Sequence, residues 1–206
     1  MSKPQLLLVG AGGHANSCVD VIEQEGKFEI AGLIGRSSEV GTRNCGYEVI
    51  GTDRDLETLY GEFKFAFIAI GHVESAEIRI QVYSQLKKIG FQVPSIKSKS
   101  SYISNHASIG EGTIVMHDVI VNSGVDIGQN CILNTRSIIE HDVNISDHCH
   151  ISTGAIVNGG VNIGRGTFIG SGSVIRDNLS IGDDCFVGMG TIITHDMQSQ
   201  TRIISK

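Results

Sequence analysis

The amino-acid sequence predicts an α/β N-terminal unit, a small Rossmann-like parallel sheet with helices, followed by a parallel β-helix. Three observations carry this. Every sixth residue from Ile103 to Ile193 is Ile, Leu or Val. A second slot, four residues after the first, is filled mostly by small or β-branched residues, from Ala107 and Thr113 to Cys185 and Thr191. Before about Lys97 this period is missing, and short apolar runs alternate with amphipathic stretches. A period of six fits neither the 3.6 of a helix nor the alternation of a plain strand. It fits coils that bury a core only by stacking on one another. The units are placed at residues 1–97 and 98–206.

The elements of the first unit follow in order. Gln5–Val9 is an apolar strand that ends in Gly10-Ala11-Gly12-Gly13-His14-Ala15, and a helix follows from about Asn16 to Glu25. Phe28–Ile34 and Tyr47–Ile50 read as the second and third strands. Asp53 is a suitable N-cap for a helix through Tyr60. Lys64–Ile70 is a buried strand stopped by Gly71. Ile78, Val82, Leu86 and Ile89 mark one face of the next helix, which stops at Gly90. Phe91–Ile96 is read as a last strand. This rhythm implies a parallel sheet with ligands at the carboxyl ends of its strands.

The second unit is the repeat itself. Gly, Asn and Asp fill many positions between the two interior slots, as tight corners require. Proline is absent from the run, so every backbone donor needed for pairing between coils is kept. Cys131, Cys149 and Cys185 fall in interior corner slots and read as structural thiols.

Composition narrows the function. The net charge is −6, from 16 Lys and Arg against 22 Asp and Glu, with no basic cluster, so nucleic acid is not an expected partner. The longest apolar run, Phe65 to Ile70, is too short to span a bilayer, and the first residues carry no signal-peptide pattern. The expectation is a soluble cytoplasmic protein with no membrane contact. Five cysteines without C-x-x-C spacing support neither a disulfide framework nor a zinc ribbon.

The Gly-rich turn meets the loose G-x-G-x-x-G/A pattern, in which glycines let backbone N–H groups reach a phosphate at a helix N-terminus. A dehydrogenase reading would also want an acidic residue after the second strand to hold a ribose, and Gly35-Arg36 stand there instead. A tight turn without a ligand is the alternative.

With both halves in view, the chain resembles the hexapeptide-repeat sugar O- and N-acetyltransferases of bacterial glycan synthesis. This group includes sialic-acid O-acetyltransferase and the acetyltransferases of nucleotide-linked 4-amino-4,6-dideoxy sugars. The resemblance rests on Gly13-His14, on Ala69-Ile70-Gly71, and on Ile139-Glu140-His141-Asp142 followed by His150. It implies a left-handed β-helix with eighteen residues per coil, a homotrimer, and acetyl-CoA bound between neighbouring prisms. It also implies a nucleotide-linked sugar held by Gly12, Gly13, His14 and Gly71 of the first unit. His141 would be the general base and Asp142 its orienting carboxylate, in direct transfer without an acyl-enzyme and without a metal. His150, Gly159 and Gly160 would line the acetyl-CoA path. The resemblance favours an N-acetyltransferase acting on an amino sugar in lipopolysaccharide or O-antigen biosynthesis; O-acetylation of sialic acid is the alternative. Two segments depart from the family pattern: Gly35-Arg36, where an acidic pair is expected, and the tail after Ile193, which lacks a Gly-x-Pro-Ala closing segment.

Two further readings are open. His106, His117, His141, His148, His150 and His195 could supply ligands to a trimeric zinc hydratase of the carbonic-anhydrase type, although their spacings do not follow that family's ligand pattern. A non-catalytic scaffold is the other, since repeat surfaces often serve only for binding.

Overall fold

The computed structural model describes residues 2–204. Its first unit is a five-stranded sheet with β1 (Gln5–Val9) next to one edge. The order is β3 (Arg43–Asn44), β4 (Tyr47–Gly51), β2 (Glu29–Ile34), β1, β5 (Phe65–Ile68). The chain winds outward from β1 through β2 to β4, then returns to the other side of β1 as β5. The ends of β1 and β5 therefore flank a point where strand order reverses, the place an open α/β sheet offers a ligand.

The pairs among β4, β2, β1 and β5 are parallel, but β3 and β4 pair antiparallel. The sheet is mixed rather than parallel throughout. The cause is a two-residue turn with Cys45 at φ 48° and Gly46 at φ 84°, the left-handed pair that a tight hairpin needs. The last expected strand, Phe91–Ile96, is not formed. Gln92 makes only an isolated bridge to Phe65, and Pro94 lacks the N–H that a ladder requires.

Helix α1 spans Gly13–Glu25 and closes on Gly26, whose N–H donates to Ile22 O. Asp53 opens a 3₁₀ turn rather than capping it. Thr52 is the cap, and the Asp55 carboxylate accepts from the Thr52 N–H and hydroxyl, both at 2.8 Å. The short helix α2 (Leu56–Leu59) follows. Helix α3 covers Glu77–Ile89 and ends on left-handed Gly90, as the sequence suggests.

From Ile96 onward the chain is a left-handed parallel β-helix. Two-residue strands stack as three flat faces of six, five and seven strands. Each strand from Ile96–Lys97 to Val174–Ile175 pairs with the one eighteen residues on, as Ile120 with Ile138 and Val121 with Ile139. The prism starts one strand earlier than the repeat announces, because Ile96–Lys97 pairs with Ile114–Val115. It also ends later: Arg202–Ile203 adds to Phe186–Val187, and Met197 bridges Ile181, so the tail closes the last coil. Slot residues from Val115 to Ile193 point inward and are buried. Corners recur every six residues in the left-handed region, held by Gly112, Asp118, Gly124, Asn130, Arg136, Asp142 and onward to Gly190. Cys131, Cys149 and Cys185 are buried free thiols; burial raises the pKa of both Cys149 and Cys185.

The two units are clamped together on the seven-stranded face. Arg79 of α3, fully buried, reaches both. Its guanidinium donates to Ile68 O and Ile70 O at the end of β5, each at 2.8 Å, and to Asn130 O and Gly112 O at prism corners, at 3.1 and 3.3 Å. Ser98 and Asp20 hold His117 between prism and α1, at 2.7 Å to Nδ1 and 2.8 Å to Nε2.

Candidate active site

Two clefts gather most of the residues singled out from the sequence. The first lies on a corner of the prism. Strand Ile138–Ile139 delivers Glu140, His141 and Asp142 to the corner, and the next coil brings Asn158, Gly159 and Gly160 to the same level. With Asp177 and Asn178 they line a cleft of about 520 Å³. Asp142 sits at φ 58° and its N–H donates to Ser123 O, which turns its carboxylate back on its neighbour. His141 Nδ1 donates to Asp142 Oδ2 at 2.9 Å. That bond fixes the tautomer and leaves Nε2 as the free base of the ring. The hydrogen bond, together with the charges of Asp142 and Glu140, raises the His141 pKa above 6.5. Both side chains are exposed, at 66% and 73%.

Gly159 makes room for the imidazole. A Cβ on Gly159 would stand 2.7 Å from both Cε1 and Nε2 of His141. Gly160 N–H donates to His141 O at 3.0 Å, which pins the two coils in register there. Bare backbone beside the free nitrogen suits an extended thioester arm laid along the corner.

The second cleft, about 940 Å³, lies at the carboxyl ends of β1, β2 and β5. Gly10, Gly12, Gly13, His14 and Gly71 all line it. These glycines do different work. Gly10 sits at φ 124°, and a Cβ there would lie 2.8 Å from Ala69 O, so it allows β1 and β5 to approach. A Cβ on Gly12 or Gly13 would meet nothing within 4 Å, so these two leave the helix end open to the crevice. Gly12 is the N-cap of α1 and offers no side chain of its own, which leaves first-turn N–H groups facing the cleft.

His150 does not join the first cleft. It lies nine residues past His141, half a coil round, on the face covered by the first unit. It is buried, its Nδ1 donates to His72 O at 2.6 Å, and its Nε2 accepts from Asn134 at 3.2 Å. The ring also packs edge-on against His72 and Phe168. Both ring nitrogens have partners within the chain, and the ring stands at the junction of the two units. Burial, with Arg79 nearby, pulls its pKa down to about 4 even though the bond to His72 O opposes this. Burial takes His14 to about 3 and His72 to about 2, aided by repulsion from Arg79 and from neighbouring imidazoles. These rings are neutral near pH 7. Within one chain and among the described residues, no three His, Cys, Asp or Glu side chains, including His106, His117, His141, His148, His150 and His195, are grouped to hold a metal.

The family profile of the PglD N-terminal domain matches residues 5–86, and that of the GMPPB C-terminal domain matches residues 98–204. No curated protein matches the chain. Among solved structures, the H141N mutant of perosamine N-acetyltransferase from Caulobacter crescentus, in complex with CoA and GDP-perosamine, is 26% identical with a TM-score of 0.91. The match covers 99% of this chain and 95% of that one. The chain belongs to the hexapeptide-repeat sugar acetyltransferase family. The acetyltransferase domain of PglB from Neisseria gonorrhoeae FA1090 is also 26% identical, with a TM-score of 0.89 over 98% of this chain and 97% of that one. WeeI from Acinetobacter baumannii AYE matches at 26% identity and a TM-score of 0.87, over 98% and 97%.

In this acetyltransferase the sequence pattern leaves two site features unseen. Arg79 is hidden in an amphipathic helix, where a charged residue reads as solvent-facing. Glu39 enters the second cleft from a turn that carries no motif.

Proposed function

We propose that the protein is an acetyl-CoA-dependent N-acetyltransferase acting on a nucleotide-linked amino sugar of the 4-amino-4,6-dideoxyhexose type. One observation carries the reading. The prism corner presents an imidazole with a free Nε2, held by a carboxylate and flanked by bare glycine backbone. The likeness to perosamine N-acetyltransferase, crystallised with CoA and GDP-perosamine, and to the PglB acetyltransferase domain, crystallised with acetyl coenzyme A, supports the substrate pair. The structures of the first include its H141N and H141A mutants.

Acetyl-CoA supplies the acetyl thioester. His141 Nε2 takes the proton of the sugar amine as the amine attacks the thioester carbonyl, Asp142 stabilises the resulting imidazolium, and the C–S bond then breaks as that proton passes to the sulfur, releasing the amide and CoA thiol. No Ser or Cys nucleophile is required. Gly159 and Gly160 carry the thioester arm past the base. Gly12, Gly13, His14 and Gly71 hold the nucleotide sugar in the second cleft, with the phosphates at the N-terminus of α1.

The working form is a homotrimer. Tyr102, Ile120, Ile138, Ile156, Val174 and Ile192 make an outward column on the six-stranded face, with Tyr102 and Ile192 at 60% and 70% exposure. The equivalent column on the five-stranded face is Ser108, Asp126, Asn144, Asn162 and Ser180. An apolar stripe with exposed ends, beside a polar face, is the mark of a surface awaiting a partner. A neighbouring prism on that face would also shield His141, which a base in a thioester site needs. The boundary between the nucleotide-sugar unit and the acetyl-CoA unit is placed at 97/98, just after the strand Ile96–Lys97 that opens the prism. No described helix is long and apolar enough to cross a membrane. We place the reaction in the cytoplasm, in the synthesis of a surface glycan such as an O-antigen.

The test is release of free CoA thiol with acetyl-CoA and a panel of UDP-, dTDP-, GDP- and CMP-linked 4-amino sugars, beside free sialic acid. The proposal expects turnover with one or more of the amino sugars. Turnover with sialic acid alone would replace it by O-acetylation, and a trimer without turnover on any of them would favour a scaffold.

A further inference from the structure

The end of β2 is where an open nucleotide-binding sheet places a carboxylate to hold a ribose, and here Gly35-Arg36 occupy that place. The fold supplies a carboxylate from elsewhere. Residues 36–39 form a closed turn, in which Glu39 N–H donates to Arg36 O at 2.8 Å. The turn returns the Glu39 side chain to the strand end, where Oε2 accepts the Arg36 N–H at 2.7 Å. A Cβ on Gly35 would lie 2.8 Å from that oxygen and 3.3 Å from the Ala11 side chain. Glycine at 35 is thus the condition for the carboxylate to stand over the end of β2, beside the Gly-rich turn. Glu39 lines the 940 Å³ cleft together with Gly12, Gly13, Arg36 and Arg54. Among the described residues no Lys, Arg or His side chain forms an ion pair with Glu39, so its remaining acceptor capacity faces the cleft.

We infer that Glu39 is the ribose-binding residue, its carboxylate accepting the 2′-hydroxyl, and that the substrate is therefore a ribonucleoside diphosphate sugar rather than a 2′-deoxyribonucleotide one. The inference rests on the nucleotide-sugar reading above and narrows it. The chemistry follows from the parts. Phosphates at the N-terminus of α1 leave the ribose to lie across the end of β2. An ionised carboxylate is an acceptor only, and the 2′-hydroxyl is the donor that a 2′-deoxyribose lacks. Without that hydroxyl, the carboxylate loses its water on binding and receives nothing in return. Arg36 and Arg54 at the same mouth favour the two charges of a diphosphate.

Titration calorimetry on the full chain decides it, with GDP, 2′-deoxy-GDP, UDP and 2′-deoxy-UDP as the probes, on wild type and on Glu39→Ala and Glu39→Gln. Wild type should bind the ribonucleotide of at least one pair about 10- to 100-fold more tightly than its deoxy partner, the factor a hydrogen bond to a charged group carries. Glu39→Ala should bring that ratio close to one, and Glu39→Gln should leave an intermediate ratio, because an amide oxygen still accepts. Equal binding of each ribo and deoxy pair by wild type would overturn the inference while leaving the acetyltransferase reading intact. So would a Glu39→Ala variant that changes only the preference between GDP and UDP, which would move the carboxylate to the base. Wild type that binds dTDP but none of the four would also overturn the inference, and wild type that binds none of the four, nor dTDP or CMP, would overturn the nucleotide-sugar reading itself.

Discussion

The imidazole of His141 lies against the bare backbone of Gly159, so closely that a methyl on Gly159 would stand 2.7 Å from both Cε1 and Nε2. The two residues come from successive coils, locked in register by the bond from Gly160 N–H to His141 O. Gly159 has no positive φ, so alanine fits the backbone there and only the ring must move. Gly159→Ala should lower kcat by roughly 10- to 100-fold, the range for displacing a catalytic group by about an ångström. The thermal midpoint should stay within a few degrees of wild type. Steady-state kinetics beside a melting curve checks both halves.

The bond from His141 to Asp142 raises the His141 pKa above 6.5, and a base acts only when neutral. The acidic limb of kcat/KM should therefore have its midpoint above 6.5. Asp142→Asn removes the group that raises it, so the limb should move to lower pH while the plateau falls. A pH–rate profile of both proteins reads the shift, and an unchanged midpoint would separate Asp142 from the titration.

Arg79 binds four carbonyls across the junction, and among the described residues no carboxylate forms an ion pair with it. Arg79→Met should destabilise the chain by about 2 kcal/mol or more. Each buried carbonyl left without a donor costs roughly 1–3 kcal/mol, partly offset because a guanidinium no longer has to be desolvated. Chemical denaturation measures it. Stability equal to wild type would show that the junction is held by apolar packing alone.

The prism was legible because one hexapeptide rule is repeated without interruption, and each coil needs the same inward slots and corners. Other features depend on contacts between distant segments and were not legible. Ile78 continues the apolar stripe of α3, yet it is 65% exposed and Arg79 points inward, because carbonyls at the end of β5 and at two prism corners need a donor. The β3–β4 hairpin escapes the sequence because Cys45, not Asn or Gly, takes the first left-handed position. Nine residues are half a turn of an eighteen-residue coil and carry His150 away from His141, but its bond to His72 O depends on how the first unit packs on the prism. Glu39 is invisible as a site residue because its place at the end of β2 is made by the turn and by Gly35.

The junction histidines should make the fold sensitive to acid. In the folded chain, burial holds His150 near 4, His14 near 3 and His72 near 2, against about 6.5 when unfolded. Between those values the unfolded chain binds more protons, so stability is complete above about pH 6.5 and falls as pH drops through 4 and below. The slope should approach about 1.4 kcal/mol per pH unit for each histidine. Urea unfolding between pH 7 and pH 4 measures it. His150→Asn should flatten the slope, and an identical slope in that variant would assign the acid sensitivity to other groups.

The proposed mechanism turns on His141 as the base of a direct acetyl transfer. Its most direct test is the turnover of His141→Ala with the nucleotide-linked amino sugar that wild type acetylates, together with acetyl-CoA affinity measured on the same preparation. Turnover should fall by about 10²- to 10⁴-fold, the range for removing a general base, with acetyl-CoA affinity nearly unchanged. Wild-type turnover in His141→Ala would contradict it.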